Sequence, residues 1–297
     1  MTGIICFDKP EGITSFLAVK KARWLFGEKK AGHCGTLDPL ATGVLPIMLG
    51  GATRFLDFLP VSSKAYVATM RLGVTTDTLD ITGTVLSEND VDDSLEDIEK
   101  VLPKFRGDIM QVPPMFSAIK KDGVRMYDLA RQGVEVEREP RPVTIYSLEV
   151  SHISENDYSL SVSCSSGTYV RTLIDDIGRE LGCGATMVAL RRTEACGFPI
   201  EKTYTLEELE KAKEEGTIDS LVISVDEALG CYDEIRVSEA QGKRFRNGGE
   251  LDLLRIKSTF KKVPGLYRVY CNEEFLGLGE IAENSDVLAV KRVYVSR

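Results

Sequence analysis

The 297-residue chain holds only two histidines, His33 and His152, and one tryptophan, Trp24. Its seven cysteines, Cys6, Cys34, Cys164, Cys183, Cys196, Cys231 and Cys271, are odd in number and never spaced as CxxC. With so little histidine beside them they form neither a zinc-ligand pattern nor a disulfide framework, and they read as small buried apolar residues kept reduced. No run approaches the ~18 consecutive apolar residues that a membrane helix needs. The opening Met1-Thr2-Gly3-Ile4-Ile5-Cys6-Phe7 has no basic head before an apolar stretch, so neither a signal peptide nor a membrane span is expected, and a cytoplasmic protein is. Internal repeats of 20–50 residues and low-complexity tracts are also missing. What is present is ordinary for a folded protein: 43% hydrophobic and 28% charged residues. The length, about twice the ~150 residues of a typical domain, suggests a large domain with a small one.

A net charge of −9 would disfavour a polyanionic partner if it were spread evenly. It is not. Residues 77–99 carry nine acidic and no basic side chains, and residues 205–227 carry eight acidic and two basic, which leaves +6 for the rest of the chain. Lys9, Lys20, Lys21, Arg23, Lys29, Lys30 and Arg54 gather in the first sixty residues, and 236–297 has a surplus of +4. A phosphate-binding face therefore remains compatible with the acidic total.

Thr14-Ser15 opens a helix that runs to Phe26, with Gly27 as its cap. A loop rich in Gly and Pro follows over Gly32–Pro46, too broken for a regular element of any length. Lys64–Leu72 alternates as a strand, with Tyr66, Ala68, Met70 and Leu72 on one face. Tyr146/Leu148/Val150 and Tyr158/Leu160/Val162/Cys164 alternate on either side of Ser154-Glu155-Asn156-Asp157 and predict an antiparallel hairpin. Leu173, Ile174, Ile177 and Leu181 share a helical face closed by Gly182. Between these, Gln111–Gly123, with Pro113-Pro114 and an Asp122-Gly123 turn, predicts an excursion from the sheet within an insertion of about 104–142. Leu206–Gly216 predicts an acidic helix. The pattern lacks a βαβ rhythm, so the expected class is α+β: a mixed, largely antiparallel central sheet flanked by helices over 1–231. Residues 232–297 predict a small barrel, from a helix near Ser238–Phe245 and strands at Tyr267–Tyr270, Phe275–Ile281 and Val287–Val295.

The broken loop is where chemistry is sought. Asp38 precedes Pro39, which favours an extended backbone, and lies between Gly35 and Gly43, which permit tight turns. By itself this is also the pattern of an ordinary turn aspartate. The run Gly32-His33-Cys34-Gly35-Thr36-Leu37-Asp38-Pro39-Leu40-Ala41-Thr42-Gly43-Val44-Leu45-Pro46 resembles the catalytic loop of the pseudouridine synthases, in the branch that acts on the T loop of transfer RNA. Phe7-Asp8-Lys9-Pro10-Glu11-Gly12 resembles that family's opening motif. Lys64–Ala68 with Arg71-Leu72-Gly73 and Thr76-Asp77-Thr78 resembles its tyrosine-bearing strand, and Gln111–Lys120 its insertion. Ser166–Thr172 and Leu190-Arg191-Arg192-Thr193 resemble its remaining active-site segments, and 236–297 its RNA-binding PUA domain.

The resemblance implies isomerisation of a T-loop uridine, at tRNA position 55, to pseudouridine: uracil leaves C1′, turns over and rejoins through C5. No metal or cofactor is required. It implies that Asp38 acts on C1′, on C6 or on a ribose proton, three routes that the sequence leaves open. Arg171 would pair that carboxylate at two points. Tyr66 would stack on the flipped uracil and handle the C5 proton. Tyr169 and Leu190 would complete the pocket, His33 would occupy the place the base leaves, and Lys9 and Lys20 would meet phosphates. The implied partner is the T stem-loop of tRNA, with no protein partner and a monomeric enzyme. A guide-RNA-dependent relative and a binder without catalysis are the alternatives. The first would need an assembly tail that is not seen, and the second has no use for Asp38, Tyr66 and Arg171 together. Leu49-Gly50-Gly51-Ala52-Thr53-Arg54 lacks the GxxxxGK[ST] order of a phosphate loop.

Overall fold

The computed structural model describes residues 1–59, 63–117, 119–121, 123–130, 132–134 and 136–295. The first strand, β1 (Gly3–Lys9), is apolar on both faces because both are covered. Helix α1 (Ser15–Leu25) starts where Thr14 accepts a hydrogen bond from the Leu17 amide and turns Ala18, Val19, Ala22 and Leu25 inward. Then come β2 (Ala31–His33), β3 (Thr42–Leu49), β4 (Lys64–Leu72) and a hairpin of β5 (Val74–Thr76) and β6 (Val85–Glu88). Helix α2 (Leu95–Val101), capped reciprocally by Ser94 and Asp97, precedes β7 (Gly107–Gln111). The short β8 (Lys120–Lys121), β9 (Val124–Arg125) and α3 (Met126–Ala130) lead to the long hairpin β10 (Arg141–Ser154) and β11 (Asp157–Cys164). Helix α4 (Val170–Leu181), β12 (Ala185–Ala195), β13 (Phe198–Pro199), α5 (Leu206–Glu214) and α6 (Val225–Ala228) complete the larger part.

Nine of these strands form one sheet in the order β1-β3-β12-β4-β11-β10-β7, with β2 added to β3 and β13 to β12. Every pairing in it is antiparallel except β3–β12. This is the mixed, largely antiparallel α+β sheet expected from the sequence. Its edge at β1 is closed by bridges from Ile4 to Ile223 and from Phe7 to Tyr204, which leaves no long open edge there.

The second sheet is built from β14 (Glu234–Val237), β15 (Leu251–Asp252), β16 (Gly265–Cys271), β17 (Glu274–Ile281) and β18 (Val287–Val293), in the order β14-β16-β17-β18-β15, with α7 (Glu239–Arg246) packed on it. It is PUA-like. Ile5 and Phe7 of β1 point into the main core, whereas Ile4 and Cys6 point the other way, into a cluster with Met48, Phe55, Tyr270, Phe275 and Leu278. The period-two alternation of a strand thus joins the two sheets through apolar residues. At roughly 1.5–3 kcal/mol per fully buried large apolar side chain, this layer outweighs surface ion pairs worth about 0–1 kcal/mol each.

Four expectations are corrected. Within Gly32–Pro46 only Cys34–Ala41 is irregular, because β2 and β3 pair with each other and carry glycine and proline inside the ladder. Tyr146 does not share the inner face with Leu148: a bulge between Ile145 and Ser147 shifts the alternation, so Val143, Ile145 and Leu148 are buried and Tyr146 is exposed. The excursion begins only after Gln111, since β7 pairs with residues 141–145 of β10 in the main sheet; Ala118 and Asp122 of that excursion lie outside the described residues. The cysteines are not all unpaired. Cys34 and Cys196, 162 positions apart, form a disulfide, which spacing alone does not reveal because the parallel β3–β12 pairing brings the two segments together.

Candidate active site

The loop from Cys34 to Ala41 is fixed from beneath. Leu37 is buried, and the Ser15 hydroxyl at the start of α1 both accepts from its amide at 2.8 Å and donates to its carbonyl at 2.9 Å. The Ala41 amide donates to the Asp38 carbonyl, and the Gly12 amide to that of Pro39. Gly43, at φ 98°, lies so close to β12 that an added Cβ would stand 2.2 Å from the Arg192 carbonyl oxygen. Glycine is required at that point.

Lys9 departs from its expected role. It is fully buried, and its ammonium donates to the carbonyls of Pro10 at 2.8 Å, Ile13 at 2.8 Å and Pro39 at 3.3 Å. No part of it faces a phosphate. It clamps the segment after β1 to the Cys34–Ala41 loop instead, and burial lowers its pKa to about 8, with the Asp38 charge pulling the other way.

Asp38 projects from this platform toward α4, where its carboxylate forms an ion pair with Arg171 at 2.9 Å. The guanidinium is held from other sides as well: Nη1 donates to the Thr78 carbonyl at 2.9 Å and Nη2 to the Phe116 carbonyl at 2.8 Å, while Asp80 lies 3.5 Å away. Asp80 is itself held by the Thr78 and Thr82 hydroxyls at 2.9 and 2.5 Å. A buried arginine fixed by two carboxylates and two carbonyls keeps one orientation, and with it the carboxylate that reaches outward.

Tyr66 on β4 and Tyr169 before α4 are close enough to Asp38 to feel its charge, and burial raises the pKa of both phenols. Gln111 at the end of β7 holds the backbone of Tyr169 at two points, accepting from its amide at 2.8 Å and donating to its carbonyl at 3.1 Å. Leu190 on β12 packs in the same core as Leu37, Ala41 and Tyr66. His33, at the end of β2, is half-buried with Nδ1 unpartnered. Burial, then the charge of Arg192, lowers its pKa, so the neutral ring is favoured. Lys20 lies exposed on the outer side of α1.

The structure therefore brings Asp38, Arg171, Tyr66, Tyr169 and Lys9 into one site, with Leu190 packed behind it and His33 and Lys20 further out. Asp80 was not singled out from the sequence, and Gln111, Ser15 and Arg192, though they lie in the quoted segments, were given no role at the site. Asp80 had a signal in the Asp77-Thr78-Leu79-Asp80-Ile81-Thr82 alternation of carboxylates and hydroxyls. Gln111 had none, because its partner is a backbone 58 positions away.

Three family models match consecutive parts of the chain: TruB family pseudouridylate synthase (N terminal domain) over residues 23–170, tRNA pseudouridylate synthase B C-terminal domain over 171–230, and Pseudouridine synthase II TruB, C-terminal, over 234–294. Among solved structures, a chain of a Cbf5-Nop10-Gar1 complex is similar with a TM-score of 0.73 and 28% identity, covering 98% of this chain and 84% of that one. A chain of an H/ACA RNP bound to a substrate RNA is similar with a TM-score of 0.72 and 26% identity, covering 99% and 86%. Fold and family models together define the class as the pseudouridine synthases, which are isomerases. The tRNA pseudouridine synthase B of Stutzerimonas stutzeri (strain A1501) is 45% identical over 97% of this chain and 94% of the relative, and that of Pseudomonas fluorescens (strain Pf0-1) is 46% identical over the same shares. The chain belongs to the tRNA pseudouridine synthase B family.

Proposed function

We propose that this enzyme converts a uridine of the tRNA T loop, position 55, to pseudouridine, with Asp38 as the carboxylate that opens the reaction. The observation that carries the reading is the 2.9 Å pairing of Asp38 with a buried Arg171, beside two tyrosines. Such a carboxylate is aimed outward and faces a fixed cation, as any of the three routes requires. The relatives bearing the name tRNA pseudouridine synthase B support tRNA as the substrate, and their 45–46% identity exceeds the 28% of the chain from the multiprotein complex. That difference favours an enzyme that acts alone, as a cytoplasmic monomer. No helix among the described residues is long and apolar enough to cross a membrane.

Flipping the uridine costs about a few kcal/mol, and stacking it on Tyr66 returns about 1–3 kcal/mol. Stacking by itself does not offset the cost, so phosphate contacts must add to it. Lys20, other exposed basic residues and the PUA-like part at 232–297 supply them, His33 fills the place the base leaves, and Tyr169 and Leu190 enclose the ring. After uracil rejoins through C5, that carbon carries both C1′ and hydrogen. The C5–H bond breaks and its electron pair becomes the C5=C6 double bond. N1 takes a proton from water, and the C5 proton passes to the Tyr66 oxygen, which has earlier released its own proton to water.

Mapping the product in unmodified tRNA by carbodiimide labelling and primer extension tests the reading. A single stop at the T-loop uridine is expected. Stops elsewhere, or none, would contradict the proposed substrate.

A further inference from the structure

Two arginines are buried beside the site, and one of them has no counter-ion. Arg171 faces Asp38 and Asp80. Arg192, 0% exposed, makes no ion pair among the described residues. Its Nε donates to the Val44 carbonyl at 2.7 Å and its Nη2 to the Gly35 carbonyl at 3.1 Å, but its Nη1 meets no acceptor. An unneutralised buried charge is costly, and neither backbone bond removes that cost. The charge also reaches its neighbours: burial, and after it this charge, lowers the pKa of both His33 and Lys64.

One group stands ready to balance it. In the antiparallel β4–β12 pairing Arg192 lies directly opposite Tyr66, and side chains so placed share a face of the sheet. The pairing sets the guanidinium beside the phenol, close enough for its charge to act on the ring oxygen. The same guanidinium grips Gly35 of the catalytic loop and Val44 of β3, so it ties together the loop that carries Asp38, the strand that follows and the ring that meets the base. Gly35 is itself fitted to this arrangement: at φ 83°, an added Cβ would stand 3.0 Å from Lys64 Nζ and 3.5 Å from Arg192 Nη1.

We propose that Arg192 is the positioning residue of Tyr66, orienting the phenol oxygen toward the uracil and stabilising the negative charge it bears before it takes the C5 proton. The proposal rests on the proton role given to Tyr66 above. A forked, planar cation can hold two carbonyls and still present an N–H to a phenol beside it, which is why lysine would not serve. A cation beside the phenol favours the deprotonated form that takes the C5 proton, so it acts on the rate rather than on RNA binding.

The test is a double-mutant cycle in single-turnover isomerisation of tRNA carrying hydrogen or deuterium at uridine C5, with Tyr66→Phe, Arg192→Gln and the double variant. Arg192→Gln is expected to keep tRNA affinity within a few-fold, to lose about tenfold or more in rate, and to show a larger C5 isotope effect than the wild type. Tyr66 is faced by Arg192 of β12, Cys164 of β11 and Asp38 of the loop, and of these only Arg192 is a cation. Its removal is therefore expected to move the rise of the rate with pH, which follows deprotonation of Tyr66, to higher pH. In the Tyr66→Phe background, losing Arg192 should cost almost nothing further. Arg192→Lys, which keeps the charge and loses the fork, carries the same comparison if the glutamine variant does not fold, and thermal unfolding reports which one does. Multiplicative losses with an unchanged isotope effect and pH profile would overturn the role given to Arg192 while leaving that of Tyr66. Full activity of Tyr66→Phe would overturn both.

Discussion

Arg171 and Asp38 stand 2.9 Å apart, but the arginine side chain is 5% exposed and the aspartate 39%. The cation is part of the interior and the carboxylate reaches out of it, an arrangement suited to a reacting group with a fixed counter-ion. Arg171→Lys places one ammonium where two carboxylates and two carbonyls now meet a fork. Loss of one charge-assisted bond, worth about 1.5–3 kcal/mol, corresponds to roughly 10–100-fold in rate. Single-turnover kinetics should show that loss while filter binding shows tRNA affinity nearly unchanged. An active lysine variant would remove the two-point argument.

Lys9 and Lys20 lie on one basic segment, and the structure separates them. Lys9→Met leaves three loop carbonyls without their donor, so stability should fall by about 1–3 kcal/mol in denaturant unfolding while the salt dependence of tRNA binding keeps its slope. Lys20→Gln should do the reverse, lowering the salt slope by about one and leaving stability unchanged. A change of slope in the Lys9 variant would mean that it reaches phosphate after all.

Asp176, five residues beyond Arg171 on α4, is half-buried next to Asp175, and burial followed by that neighbour raises its pKa from 3.8 to about 6. Between these values the folded state binds more protons than the unfolded one. The ionised carboxylate therefore costs stability above pH 6, and the cost disappears as pH falls toward 4. Solvent screening at this position keeps it on the order of 1 kcal/mol. Asp176→Asn should be more stable than the parent at pH 7.5 and no more stable near pH 4. A difference independent of pH would contradict the assignment.

Much of the architecture was legible because its signals are local. Thr14 caps α1, Gly182 ends α4 in the left-handed conformation, and Tyr66, Ala68, Met70 and Leu72 alternate as β4 does. Tyr146 was misjudged because one bulge inverts an alternation, and no residue type marks that bulge. At the site, Asp38 and Arg171 rest on motif resemblance. Neither periodicity nor spacing pairs residues 133 positions apart. Lys9 was assigned to phosphate because a lysine in a basic segment reads as surface, yet the carbonyls of a broken loop need donors and drew it inside. Asp80 and Arg192 act through side chains that meet only in the folded sheet. A sequence shows their presence and not their partners.

The account stands most directly on Asp38. Tritium release from tRNA labelled at uridine C5 measures the proton that every route must expel, and Asp38→Asn keeps the size of the side chain while removing its charge. The account predicts release by the wild-type chain, none by the variant, and tRNA binding by both. Release by Asp38→Asn at the wild-type rate would show that another group opens the reaction.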